Sequence, residues 1–148
     1  MNALELLKKD HQKVADAMQM LSYNTEETVQ NREDIIEKIT GDLDLHIKME
    51  EKYLYPLLER HHKSKDMVEH SYEEHQRVIQ DLKEINHLNT DDNAWLEKFL
   101  ELKKDVEHHV KEEEENLFPL IKQVLSEQQL QQLLKDFQHF KEAAKVAA

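Results

Sequence analysis

A chain of 148 residues has room for one domain with a substantial core and too little for two ordinary ones. One Gly and two Pro are too few for the turns of an all-β protein or the phosphate loops of an α/β fold, which leaves helices. A net charge of −12, from 20 basic and 32 acidic residues, argues against nucleic acid or an anionic membrane surface as a partner.

The first predicted helix covers residues 3–22, where Leu4, Leu7, His11, Val14, Met18 and Leu21 recur at steps of three and four. The polar stretch from Tyr23 to Asn31 interrupts that rhythm. A second stripe then carries Ile35, Ile36, Ile39, Leu43, His46, Glu50, Tyr53, Leu54 and Leu57 to about His61. Ser64 with the Asp66-x-x-Glu69 pair resembles a capping box, opening a third helix whose stripe runs through Val68, Tyr72, His75, Val78, Leu82 and Ile85 and ends near His87. The segment HLNTDDN offers N-cap side chains for a fourth, with Trp95, Phe99, Leu102, Val106, His109, Glu113, Leu117 and Val124 on its stripe. Ser126-x-x-Gln129 reads as a capping box for a short fifth helix, about 127–143, packing over one end of the bundle, with AAKVAA frayed beyond it. One bundle over about 3–125 followed by that helix is therefore expected, in a single domain.

Residues 42–59, DLDLHIKMEEKYLYPLLE, lie over residues 105–122, DVEHHVKEEEENLFPLIK, without a gap. His46 falls on His109, Glu50 on Glu113, Glu51 on Glu114 and Pro56 on Pro119, and each Pro, lacking a backbone donor, is expected to kink its helix past the paired residues. Upstream, DHQKVADAMQML from Asp10 matches EHQRVIQDLKEI from Glu74 and places His11 over His75. Two helical hairpins follow. The rise of about 1.5 Å per residue brings each lone His to the height of its hairpin partner, so an up-down-up-down four-helix bundle with pseudo-twofold symmetry brings four imidazoles together.

Positions four apart share a helix face, so His46 with Glu50 and His109 with Glu113 point inward together. Two carboxylates buried on otherwise apolar stripes need neutralising. A pair of metal ions does so: the Glu side chains bridge the ions, each ion takes two imidazoles, and the N/O donor set suits iron or manganese. About one position per ion would stay open for a small molecule. With no Cys, thiol nucleophiles, thiolate metal sites and disulfides are excluded. The start MNALELLKKD lacks the apolar core of a signal peptide, so a cytoplasmic location is expected.

The order His11, His46-x-x-x-Glu50, His75, His109-x-x-x-Glu113, with EEKYLYP and EEENLFP after the two pairs, resembles the hemerythrin-like HHE cation-binding domain family from about Leu4 to Leu125. The resemblance implies a non-haem di-iron site liganded by those four His and two Glu, oxo- or hydroxo-bridged, with manganese or zinc as other possible occupants. Members of that family bind O2, sense oxygen or iron, or meet NO and peroxide in stress responses. The chain departs from the oxygen-carrying hemerythrins, whose third helix has a His-x-x-x-His pair and whose fourth has His-x-x-x-x-Asp. Here Ser71 and Ile79 flank His75 at four residues and the last carboxylate is Glu113. That shifts the expectation from reversible O2 carriage toward redox or sensing chemistry on O2, NO or H2O2, with binding and turnover both open.

Further expectations concern individual side chains. Tyr53 reads first as a core residue with a satisfied hydroxyl, and second as a candidate to reach the site. Asp42 and Asp105, four residues before the paired His, are candidates to orient imidazole N–H groups. His70 projects away from His75 and, like His61, His62, His87, His108 and His139, reads as a surface residue. Two other functions stay in view: iron storage or donation to a repair or sensing partner, and a metal-free helical interaction module.

Overall fold

The computed structural model describes residues 1–23 and 26–147. Every regular element among them is helical. Helix α1 (Ala3–Ser22) starts on Asn2, whose side chain accepts from the Glu5 N–H at 2.9 Å. Asn24 and Thr25, part of the polar stretch expected to break the rhythm, lie outside the described residues, and the short helix α2 (Glu26–Gln30) follows them.

Helix α3 (Arg32–Met49) does not run on smoothly to residue 61. It passes into a π turn, Glu50–Leu54, and resumes as α4 (Tyr55–Glu59). Pro56 explains the change. It has no N–H for the Lys52 carbonyl and its ring crowds that turn, so the helix widens just before it. Helix α5 (Lys65–Asn86) begins after Ser64, but the expected capping box does not form there. The Ser64 hydroxyl instead donates to the Leu58 carbonyl at 2.6 Å and clamps the turn between α4 and α5.

Helix α6 (Asn93–Glu112) is capped by Asp92, which accepts from the Ala94 N–H at 2.9 Å. It too passes into a π turn, Glu113–Leu117, before α7 (Phe118–Val124), with Pro119 in the place of Pro56. The repeat in the sequence is thus a repeat of backbone geometry. The bundle is up-down-up-down: α1, α3–α4, α5 and α6–α7, with α1 against α3 and α5 against α6.

Helix α8 (Glu127–Ala147) is longer than expected, and the Ala-rich end is helical rather than frayed. Ala has the highest helix propensity, and Leu133 and Phe137 anchor the helix. Its capping box forms as predicted, Gln129 N–H to Ser126 Oγ and Ser126 N–H to Gln129 Oε1. The helix lies along α1, α3 and the first π turn.

Two apolar clusters fill the bundle. One gathers Leu7, Met49, Leu54, Tyr55, Val68, Leu117 and Phe137. The other gathers Val14, Ile36, Leu43, Val78, Trp95, Phe99 and Val106. Along α1, α3, α5 and α6 the chain crosses from one cluster to the other around a His or Glu, so a buried polar layer separates two hydrocarbon cores.

Candidate metal centre

That layer is made of His11, His46, Glu50, His75, His109 and Glu113, each at most 7% exposed. The rings pair by hairpin: His11 with His46 at 4.9 Å between centroids, His75 with His109 at 4.7 Å. Their Nε2 atoms converge on the two carboxylates. His46 and His75 lie 3.2 Å from Glu50 Oε1, His109 lies 3.1 Å from Glu113 Oε2, and His11 lies 3.3 Å from Glu113 Oε1. Two donor groups result, Glu50–His75–His109–Glu113 and His11–His46–Glu113, with Glu113 common to both.

The opposite nitrogen of every ring is taken by a carboxylate. His11 Nδ1 is 2.7 Å from Glu114, His46 Nδ1 2.9 Å from Asp10, His75 Nδ1 2.7 Å from Glu51, and His109 Nδ1 2.9 Å from Glu74. The pattern obeys the repeat. The residue before each lone His holds the paired His of the same hairpin, and the residue after each Glu holds the lone His of the other hairpin. Such partners fix the ring and make Nε2 the better donor. Yet Nε2 of His11 and His46, Oε2 of Glu50 and Oε1 of Glu113 are buried with no hydrogen-bond partner. Buried polar atoms are seldom left so. Inward-facing unpartnered N and O atoms, with the outer nitrogens already committed, fit a pair of cations.

A model of the hemerythrin HHE cation binding domain matches residues 2–121. The chain belongs to that family. A crystal structure of a hemerythrin HHE cation binding domain-containing protein from Mycobacterium kansasii superposes with a TM-score of 0.80 at 22% identity, over 99% of this chain and 91% of that one, so the two share the fold. A comparison with curated proteins finds no match. Family and buried His/Glu cluster together make this a metal-binding helical protein.

Around the HHE centre the structure keeps some expectations and corrects others. Tyr53 follows its core reading and does not enter the layer. Its ring packs edge-on against Phe137 and Phe140 of α8. Tyr55 takes its place: it is fully buried, its hydroxyl lies 3.1 Å from His75 Nε2, and it donates to Glu113 Oε2 at 3.3 Å. The cause is the π turn. The Tyr55 N–H bonds the Glu50 carbonyl five residues back, so Tyr55 stands one turn above Glu50, where an α-helix would put residue 54. A projection at 3.6 residues per turn cannot find it. Phe118 is its counterpart, its N–H bonded to the Glu113 carbonyl. The Phe118 ring stacks near His11 as Tyr55 stacks on His75. One half of the centre therefore carries a hydroxyl and the other does not.

Asp42 and Asp105 orient no imidazole. Asp42 pairs with Lys13 at 3.6 Å, and Asp105 faces Asp81. Residues four before a ligand lie a turn away along the helix, whereas Asp10, Glu51, Glu74 and Glu114 reach the rings from neighbouring helices. His70 and His108 are at the surface as expected, as are His62, His87 and His139, with His61 half-buried.

Charge in the layer is finely opposed. Burial disfavours imidazolium at His46, but Glu50, Asp10 and Glu113 outweigh it and push the ring up to about 10. At His109 burial is likewise outweighed, by Glu113, Glu74 and Glu50, again to about 10. Burial raises Glu113, while the close approach of Glu50, His109 and His11 holds it well below the usual carboxylate range. Burial, with Glu50 and Glu113 nearby, keeps the Tyr55 hydroxyl protonated. The layer thus attracts positive charge, as protons or as metal.

Proposed function

We propose that this HHE domain holds a non-haem pair of iron ions through His11, His46, His75, His109, Glu50 and Glu113, and binds or reacts with O2, NO or H2O2 there. The observation that carries the reading is the set of unpartnered nitrogens and oxygens facing one another in a buried layer while four carboxylates occupy the outer nitrogens. Iron bound in such a set supplies vacant coordination positions and one-electron changes at neutral pH.

The chain's own residues do the rest. Glu113 belongs to both donor groups and ties them together. Asp10, Glu51, Glu74 and Glu114 hold the Nδ1 protons and so keep each ring in the tautomer that offers Nε2. The apolar clusters on either side exclude water. Tyr55 places one O–H donor beside His75 and Glu113, where it can meet a polar ligand on that half alone.

Metal analysis and an anaerobic optical spectrum of the purified protein, followed by separate additions of O2, NO and H2O2, test the reading. Iron in the protein with a new optical band for at least one of the three supports it. A stable band with O2 marks binding, and rapid bleaching with consumption of peroxide marks turnover. Iron that a mild chelator strips under reducing conditions, with no optical change for any of the three, would replace it with iron storage or donation.

A further inference from the structure

The outer surface of the α5–α6 pair repeats the spacing found inside. His70 and Glu74 stand four residues apart on α5, His108 and Glu112 four apart on α6. Helix packing sets the two pairs face to face. His70 Nε2 lies 3.0 Å from Glu112 Oε2 and 3.5 Å from Glu74 Oε2, and His108 Nε2 lies 3.2 Å from Glu74 Oε2 and 3.5 Å from Glu112 Oε1. One donor atom from each of the four lies within 4.8 Å of the others.

Glu74 makes this more than a surface ion-pair network. It is 3% exposed, and its Oε1 is already committed to His109 Nδ1 at 2.9 Å. Its Oε2, the oxygen nearest His70 and His108, is buried with no hydrogen-bond partner. A carboxylate oxygen out of water and without a donor is unfavourable, and a second carboxylate, Glu112, stands beside it. Hydrogen bonding among the four leaves that oxygen unsatisfied. A cation satisfies it and separates the two carboxylates.

We propose that His70, Glu74, His108 and Glu112 bind one divalent first-row transition cation at the surface, distinct from the buried pocket and joined to it through the Glu74 carboxylate. Two imidazoles and two carboxylates form an N2O2 set of the kind that takes Zn2+ or Fe2+. With His70 and His108 side chains 46% and 54% exposed, the cation enters from solvent without opening the bundle. The site stands whether or not the buried pocket holds iron.

Equilibrium dialysis of metal-depleted protein against ZnCl2, with bound zinc counted by elemental analysis, tests it on three chains: the unaltered protein, H70A/H108A, and H46A/E113Q. The expected result is that H70A/H108A binds one Zn2+ fewer than the unaltered chain, while H46A/E113Q keeps that ion and loses it when the two changes are combined. If the buried pocket takes no metal, the unaltered chain and H46A/E113Q bind the same single ion and H70A/H108A still loses it, so the two readings fail separately. The E112Q variant changes one half-buried carboxylate and is expected to raise the Zn2+ concentration needed to fill the site. Equal zinc content and affinity in H70A/H108A and the unaltered chain would overturn the proposal.

Discussion

A metal-ligating imidazole almost always gives its other ring nitrogen to a partner, and in this HHE domain all four hand Nδ1 to a carboxylate. Those carboxylates act through the rings they hold. Glu51→Gln and Glu114→Gln are each expected to weaken metal binding about 10- to 100-fold with helix content intact. Competition titration against a chelator measures this, and unchanged affinity would reduce the two residues to surface charges. Tyr55→Phe removes the Tyr55 hydroxyl from the layer without changing its volume by much. Metal content should be unaltered, while affinity for a small polar ligand falls by about fivefold, the worth of about one buried hydrogen bond; ligand titration followed optically decides. At this scale the six inward residues were legible because ionisable side chains interrupt apolar stripes at matched positions. The partners of Nδ1 were not. In a chain with 32 acidic residues, which of them crosses to a neighbouring helix depends on packing that spacing does not encode.

Between residue and bundle stand the elements, and here the two π turns matter most. Each starts at the inward Glu and ends before the Tyr-Pro or Phe-Pro step. The prolines flagged an irregularity but not its kind. A kink past the site would have left Tyr53 facing inward, whereas an added residue in the turn rotates it toward α8 and brings Tyr55 in. The end of helix α8 was not legible because its Ala-rich residues are mostly exposed and carry no stripe, yet the helix runs on to Ala147, and just before that end Lys141 reaches Asp10 at 2.7 Å and braces the residue that holds His46. The start of α8 rests on the Ser126 and Gln129 capping box. Ser126→Ala should cost about 1 kcal/mol, read as a lower urea midpoint with an unchanged slope. The α5–α6 seam carries a pH-sensitive contact. Burial and the facing Asp105 push the Asp81 carboxyl from its ordinary 3.8 up to about 7, with Lys98 opposing them. Between those values the folded chain holds a proton that the unfolded chain lacks. The stability this confers is complete below about pH 4 and lost as pH rises through about 7. Asp81→Asn is therefore expected to raise the urea midpoint over the unaltered protein at pH 8 and to leave much less difference at pH 5. A gain of equal size at both would contradict the assignment.

Seen whole, the bundle is two hydrocarbon cores held apart by a layer of four imidazoles and two carboxylates. Its architecture was legible because duplication wrote the same hairpin twice, and short connections between hairpin arms leave few topologies besides up-down-up-down. A polar layer of this kind weakens a core unless something fills it. Here a pair of cations is expected to fill it. Crystals of the protein reconstituted anaerobically with Fe(II) would settle it through an anomalous-difference map at the iron edge. Two peaks are expected inside the layer, one near His11, His46 and Glu113 and one near His75, His109, Glu50 and Glu113. No density in the layer, with iron confined to the surface or absent, would contradict it.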